Sequence, residues 1–240
     1  MLRYQDAILF ISTNQKLDIS LRRDVQTKKH LKNVYSALAI STLSAAVGAG
    51  IHVLTHFLQG GLLAGLGSIG FVLALAFTEN SSKNQIKRLG YLVGMAFCTG
   101  LSLGPLMDQV IEIDPTIVST AFFASCLIFV CFSLSALWAE DRSYLYLGGT
   151  LFSGVSIMML LSFMNIFFQS NLIFQVYLYG GLLLFCGFIL YDTQLIIEKR
   201  RNGDDDFIWH SVDLFLDFIN IFRRTMVILA NNKKDKRKKN

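Results

Sequence analysis

The sequence predicts an all-α, polytopic membrane bundle of six transmembrane helices, with a seventh helix that is central or re-entrant. Three observations carry this. Mean hydropathy is +0.48. Hydrophobic residues make up 53% of the 240 positions and charged ones only 16%, where a soluble chain carries about a quarter. The charges also gather at the ends of apolar runs long enough to cross a bilayer. The expected organisation is a cytosolic N-terminal segment (1–31), one helical bundle (32–230) and a basic tail (231–240).

Residues 1–31 are polar and mixed in charge; Lys16, Arg22, Arg23, Lys28 and Lys29 favour the cytosolic side. The apolar patch Ala7 to Ile11 is short and flanked by Arg3 and Asp6, so a cleavable leader is not expected and the first span serves as the insertion signal. That span covers about 33–57 and the second about 61–78, joined by HFLQGG. Ala46-xxx-Gly50 and Gly61-xxx-Gly65 suit close helix approach. His52 and His56 stand one turn apart, a metal-ligand spacing, but no third ligand is near. Thr78 to Arg88 is a polar loop containing Lys83, Lys87 and the sequon Asn80-Ser81-Ser82.

The third span covers about 89–107, and Gly104-Pro105 is expected to break or kink it. The next loop carries Asp108, Glu112 and Asp114 and no lysine or arginine, which marks the outer side. An acidic mouth concentrates cations; a solvated loop that follows the orientation rule explains the same residues. Spans four to six cover about 116–138, 144–164 and 172–191, with Tyr144 and Tyr146 as an interfacial anchor. Met158, Met159 and Met164 read as packing residues, and Cys98, Cys126, Cys131 and Cys186 as small apolar ones. Glu198 to Asp206 reads as a charged hairpin whose aspartates cap the next helix. It lacks the alternating ligands of a calcium loop.

The seventh run covers about 207–230. Asp213 and Asp217 lie one turn apart on one face, which His210, Asn220 and Arg224 extend. A polar stripe on an apolar helix belongs in the bundle interior or against water. From a cytosolic N-terminus, the loops after spans two, four and six hold Lys83, Lys87, Arg88, Arg142, Lys199, Arg200 and Arg201, in accord with the positive-inside rule. Seven full crossings would then put the basic tail outside. Either the seventh run re-enters, or it crosses and its charges are tolerated; both hide it from lipid. Lys236 and Lys238 also fit a dilysine retrieval pattern, which is read only from the cytosol. The net charge of +5 resides in these loops and the tail, so no nucleic-acid partner is implied.

Two nearby carboxylates in a poorly hydrated site cannot both ionise cheaply, and a shared proton would tie their helices together. As ionised oxygen ligands, Asp192, Asp213 and Asp217 also suit calcium. In a purely structural alternative, Asp192 caps a helix end and Asp213 pairs with Arg224 or His210. The GxSxG, HExxH and paired YD…GxGD signatures are absent, so no enzyme is expected.

The stretches FCGFILYDTQLIIEK and GDDDFIWHSVDLFLDFINIFRR, with HLKNVYSALAISTLSAAVGAGIHVLTHFLQ, KRLGYLVGMAFCTGLSLGP and FSLSALWAEDRSYLYLGG, resemble the transmembrane Bax inhibitor motif family, in its animal Bax inhibitor-1 branch. The resemblance covers essentially everything after residue 28. It implies a bundle of the endoplasmic reticulum membrane, a pH-sensitive calcium leak and suppression of cell death, with calcium as the transported ion and no cofactor. It implies a proton-sensing pair at Asp192 of YDTQ and Asp217 of LFLDF, with Asp213 near the pore. The family's bacterial relative latches this pair with a basic residue on its second helix; the second span here has no arginine or lysine. The alternative is a non-conducting scaffold. It would engage cell-death regulators of the Bcl-2 family or calcium-release channels through its helices and through Lys233, Lys234, Lys236, Arg237, Lys238 and Lys239.

Overall fold

The computed structural model describes the backbone of residues 2–55, 61–140 and 142–239, and the side chains of 25–55, 61–140 and 142–237. His56 and Asp141 therefore lie outside the described residues. Those residues form seven α-helices and no strand: α1 (Leu2–Thr55), α2 (Gly61–Ala76), α3 (Gln85–Ile113), α4 (Thr116–Trp138), α5 (Gly148–Phe168), α6 (Asn171–Arg201) and α7 (Phe207–Lys239). A 3-10 turn, Leu145–Leu147, leads into α5.

Val25–Thr55 of α1 and helices α3, α4, α5 (with its preceding turn) and α6 are long and apolar enough to cross a membrane. The 16-residue α2 is shorter, about 24 Å at 1.5 Å per residue. Several helices outrun their expected spans. α3 continues through Pro105 to Ile113 instead of breaking there, because Leu101, Leu103, Gly104 and Val110 are buried around the proline and hold both sides in place. α6 continues to Arg201, so Glu198 to Arg201 are helical and the expected hairpin contracts to 202–206. Lys199, Arg200 and Arg201 favour this by sitting in the last turn, at the negative end of the helix dipole. Gly203 then closes the helix at φ +101°, a backbone conformation that glycine adopts without steric cost.

α7 is the axis of the bundle. It packs against α1, α3, α4 and α6, and its Ile208, Leu214, Phe215, Ile221 and Met226 are fully enclosed. By contrast, α5 leans on α6 and the short turn before it. Its Phe152, Ile157, Met159 and Phe163 point outward, where lipid would lie. Met159 is thus on the lipid side and not in the packed interior.

α1 and α3 approach closely. The expected small-residue pairs do not make this contact: Gly50 and Gly65 face open space. The rotation of α1 instead turns Ser41, Ala45, Gly48 and His52 inward, and Gly100 of α3 lies against the backbone of Ala45. Ser44 Oγ donates to the Val93 carbonyl at 2.9 Å across the same seam. A side chain at Gly100 would meet backbone, which cannot swing aside. Gly100→Val is expected to destabilise the bundle by about 1–3 kcal/mol or more, read as a lower melting temperature in detergent. A melt like the parent's would show that the seam is looser than this geometry.

α7 runs from one end of the bundle to the other without a break. Asp206, just before it, binds Arg88 at the start of α3 (Nη2 to Oδ2 2.5 Å). Lys233 near its other end lies 2.9 Å from Asp114, which follows α3. Those residues are 27 apart, about 40 Å of helix, which exceeds the roughly 30 Å of bilayer hydrocarbon. α7 thus reaches the far end of the bundle instead of turning back, which favours the crossing option over the re-entrant one. Lys233 stands at the opposite end of the bundle from Arg88, Arg142 and Lys199. The acidic loop answers part of the charge conflict, because it supplies the carboxylate that Lys233 meets. The Thr116 hydroxyl and amide and then Lys233 hold the Asp114 carboxyl well below its usual range. That contact persists at neutral pH and is lost only as pH falls through the depressed value. Single cysteines introduced in the 79–84 loop and after Lys239 are expected to react with an impermeant thiol reagent from opposite faces of sealed vesicles. Labelling of both from one face would exclude the crossing.

Candidate functional site

Asp192 lies within α6 and Asp217 about a third of the way along α7, and the two helices pack together. Their carboxyls are within hydrogen-bonding reach of each other. Asp217 is 4% exposed, and its Oδ2 has no donor. Two ionised carboxylates have no hydrogen to share, so only a proton supplies the donor that this contact needs. A buried carboxylate left without one is costly. Asp213 stands one turn nearer the start of α7, half-buried, within electrostatic range of both partners and of Lys199. No three His, Cys, Asp or Glu side chains among the described residues are grouped closely enough to hold a metal ion. The three aspartates thus converge without forming a fixed calcium cage.

The rest of the polar stripe diverges from the pair. His210 Nδ1 lies 2.9 Å from His30 Nε2, with one ring donating and the other accepting. Its Nε2 is 3.5 Å from Asp204. Arg224 donates to the Tyr177 carbonyl at 2.7 Å and lies over the rings of Tyr177 and Phe185, in space left by Gly181. Asn220 Nδ2 returns to the Leu216 carbonyl of its own helix. The alternative pairing of Asp213 with Arg224 or His210 is therefore not formed. Nor does Asp192 cap a helix end, because α6 runs on for nine residues beyond it.

Residues 27–234 match the family model described as "Inhibitor of apoptosis-promoting Bax1". The chain belongs to the Bax inhibitor family. It is 58% identical over 212 residues to the probable Bax inhibitor 1 of Paralichthys olivaceus, covering 88% of this chain and 90% of that one. The Bax inhibitor 1 of Bos taurus is 56% identical over 213 residues (89% and 90%). That of Homo sapiens is 52% identical over 212 residues (88% and 90%). As a Bax inhibitor family member, the chain is a multi-pass membrane protein of an apoptosis-inhibitor family. The matched stretch includes Asp192, Asp213 and Asp217, while Lys236 to Lys239 fall beyond it.

Around the aspartates, this Bax inhibitor family bundle has supports that sequence reasoning missed. In YDTQ, two residues after Asp192, Gln194 Nε2 donates to the Glu140 carbonyl and Ser143 Oγ, both at 3.1 Å. Its Oε1 accepts the Tyr144 amide at 2.7 Å. It thereby fastens α6 to the α4–α5 turn, and Arg142 pairs with Glu198 on the same side. At the start of α7, Asp206 Oδ1 accepts the Trp209 amide at 3.1 Å, as the aspartate run before that helix had suggested. Arg88 binds both Asp206 oxygens and Asn80, and is only 2% exposed. His30 is the other unread partner. Its only sequence signal was a lone histidine beside the first span. His52, read with His56 as a spacing, lies 3.1 Å from Asp108. Lys234, Lys236 and Arg237 project from the exposed last turns of α7, and the side chains of Lys238 and Lys239 lie outside the described set.

Proposed function

We propose that this chain is a pH-sensitive calcium leak of the endoplasmic reticulum membrane that suppresses apoptosis, gated by the proton held between Asp192 and Asp217. One observation carries the reading: the buried carboxyl of Asp217 and the half-buried one of Asp192, on neighbouring helices, lie within hydrogen-bonding reach, with no donor for Asp217 Oδ2. With one proton, the pair bridges α6 and α7. With none, two charges repel, and with two, neither oxygen pair carries the charge that strengthens the bond. Either change shifts the balance between two helix arrangements. Calcium competes with the proton for the same oxygens and meets Asp213 on the way, as a passing ion rather than a resident one.

The N-terminus and the loops after α2, α4 and α6 are assigned to the cytosol on their positive charge. A cytosolic tail is incompatible with that assignment once α7 crosses. The tail then lies in the lumen, where a dilysine signal is not read. The experiment is calcium efflux from liposomes containing the purified protein at a series of pH values, with Asp192→Asn and Asp217→Asn alongside the parent. Pair gating requires a pH-dependent efflux that each substitution flattens. No efflux above empty liposomes, from protein shown to be folded, would leave the scaffold reading. The exposed basic end of α7 favours that reading as a docking surface for cell-death or calcium-release proteins.

A further inference from the structure

An open cavity of about 580 Å³ lies apart from the aspartates, between α1, α3 and the turn that joins α6 to α7. Its volume falls within the roughly 300–1,000 Å³ typical of small-molecule sites. Two cations reach it from different helices, Lys29 of α1 and Arg200 of α6. Gln26, Asn33, Ser36 and Gln85 add uncharged hydrogen-bonding groups. Its one carboxylate, Asp205, already accepts Asn80 Nδ2 at 3.0 Å. With His30 neutral, the lining carries two positive charges and one negative, a net +1.

The polarity of the wall changes along α1. Gln26, Lys29, Asn33 and Ser36 give way within one turn to Ala37 and Ile40, with Leu89 opposite. Beyond Ile40, the same helix turns Leu43, Val47 and Leu54 outward, all exposed. Lys29 and Ile40 are about 16 Å apart along the axis. A polar, cationic chamber therefore opens onto a strip of apolar surface at the edge of a membrane-crossing helix. A free phosphate compound would use only the chamber. A lipid uses both.

We propose that this cavity binds an anionic glycerophospholipid with a hydroxyl-bearing headgroup, its phosphate between Lys29 and Arg200 and one acyl chain leaving over Ile40. A single phosphodiester charge matches the net +1 of the lining. The amides and Ser36 suit hydroxyls, whereas a choline cation would face two like charges. The bound headgroup also touches His30, which is bonded to His210 in the first turn of α7. Occupancy would therefore bear on the helix that carries Asp213 and Asp217.

The test uses full-length protein in phosphatidylcholine nanodiscs, titrated with phosphatidylinositol and followed by native mass spectrometry. One retained phosphatidylinositol per chain is expected, and retention about tenfold or more weaker in Lys29→Ala/Arg200→Ala. Lys83→Ala, an exposed cation at the same end that does not line the cavity, should retain the lipid like the parent. Equal retention by parent and double variant would overturn the site. Equal retention of phosphatidylcholine would overturn the anionic headgroup. Glycerophosphoinositol binding as tightly as the intact lipid would overturn the lipid as the source. If the double variant fails to fold, Ile40→Asp is the second variant, because it spoils the acyl strip and leaves both cations. Unchanged retention there would also overturn the proposal.

Discussion

Asp217→Asn should leave the calcium leak flat between about pH 5 and 8, at the level the parent reaches when its pair shares one proton. The amide of asparagine carries a permanent donor in almost the same volume as the carboxyl. It can give the Asp192 carboxylate the hydrogen that the parent must take from solution. The bridge between α6 and α7 then no longer depends on proton supply. Asp192→Asn should give the same result with the roles exchanged, since either amide can face the other's carboxylate. The parent, gated by one proton, should change by up to about tenfold per pH unit on its steep limb. Asp213→Asn is the contrast. It lies outside the bonded contact, so it should lower the flux and keep the pH dependence. A steep profile in Asp217→Asn would separate the pair from the gate. A flat profile in Asp213→Asn would move the gate one turn along α7.

Asp206→Ala is expected to cost the most in stability. It strips the carboxylate from Arg88, a guanidinium with 2% exposure, and it removes the oxygen that caps the Trp209 amide. Losing one partner of a buried pair costs about 3–5 kcal/mol, and losing a cap about 1 kcal/mol; the two share one side chain and need not add. The readout is thermal unfolding in detergent, where a drop of many degrees is expected. Asp206→Asn keeps an acceptor for the cap and should fall between the parent and alanine. Arg88→Met leaves Asp206 unpaired, but that carboxylate is more exposed than the guanidinium and still caps Trp209, so it should cost less than Asp206→Ala. If Asp206→Ala melts like the parent, water reaches Arg88 and the pair does not hold α3 to α7.

The helices were legible because a bilayer demands long apolar runs, and loop charge told which ends share a side. Helix ends were less legible, because hydropathy reports where hydrocarbon stops, not where hydrogen bonding stops. α6 passes Tyr191 by ten residues, and α7 keeps its helix to Lys239 through a tail too polar for the bilayer. The stripe Asp213, Asp217 followed from helical periodicity alone. The partnership of Asp217 with Asp192 came from the motif resemblance, since nothing in either local sequence says which helices touch. Arg88 read as an ordinary flanking cation, because a sequence does not show that Asp206 and Asn80 close over it. His30 and His210 are 180 residues apart, beyond the reach of any spacing rule. Arg224 looked like a counter-ion for Asp213, but it points the other way, to the Tyr177 carbonyl.

Gln194 restricts how the aspartate pair can part. Turning α6 about its own axis would swing Asp192 away from Asp217, but it would also pull Gln194 off Glu140, Ser143 and Tyr144 together. The helix is thus a stator, pinned two residues past its working group. The start of α7 is pinned as well, by Arg88 on Asp206. Lys233 on Asp114 ties the far end too, so separation of the two carboxyls then has to come from a bowing of α7 between its two pinned ends. Such a bow would show as spin-label distances that grow with pH near the exposed Leu216 and stay fixed near Ile208 and Lys233.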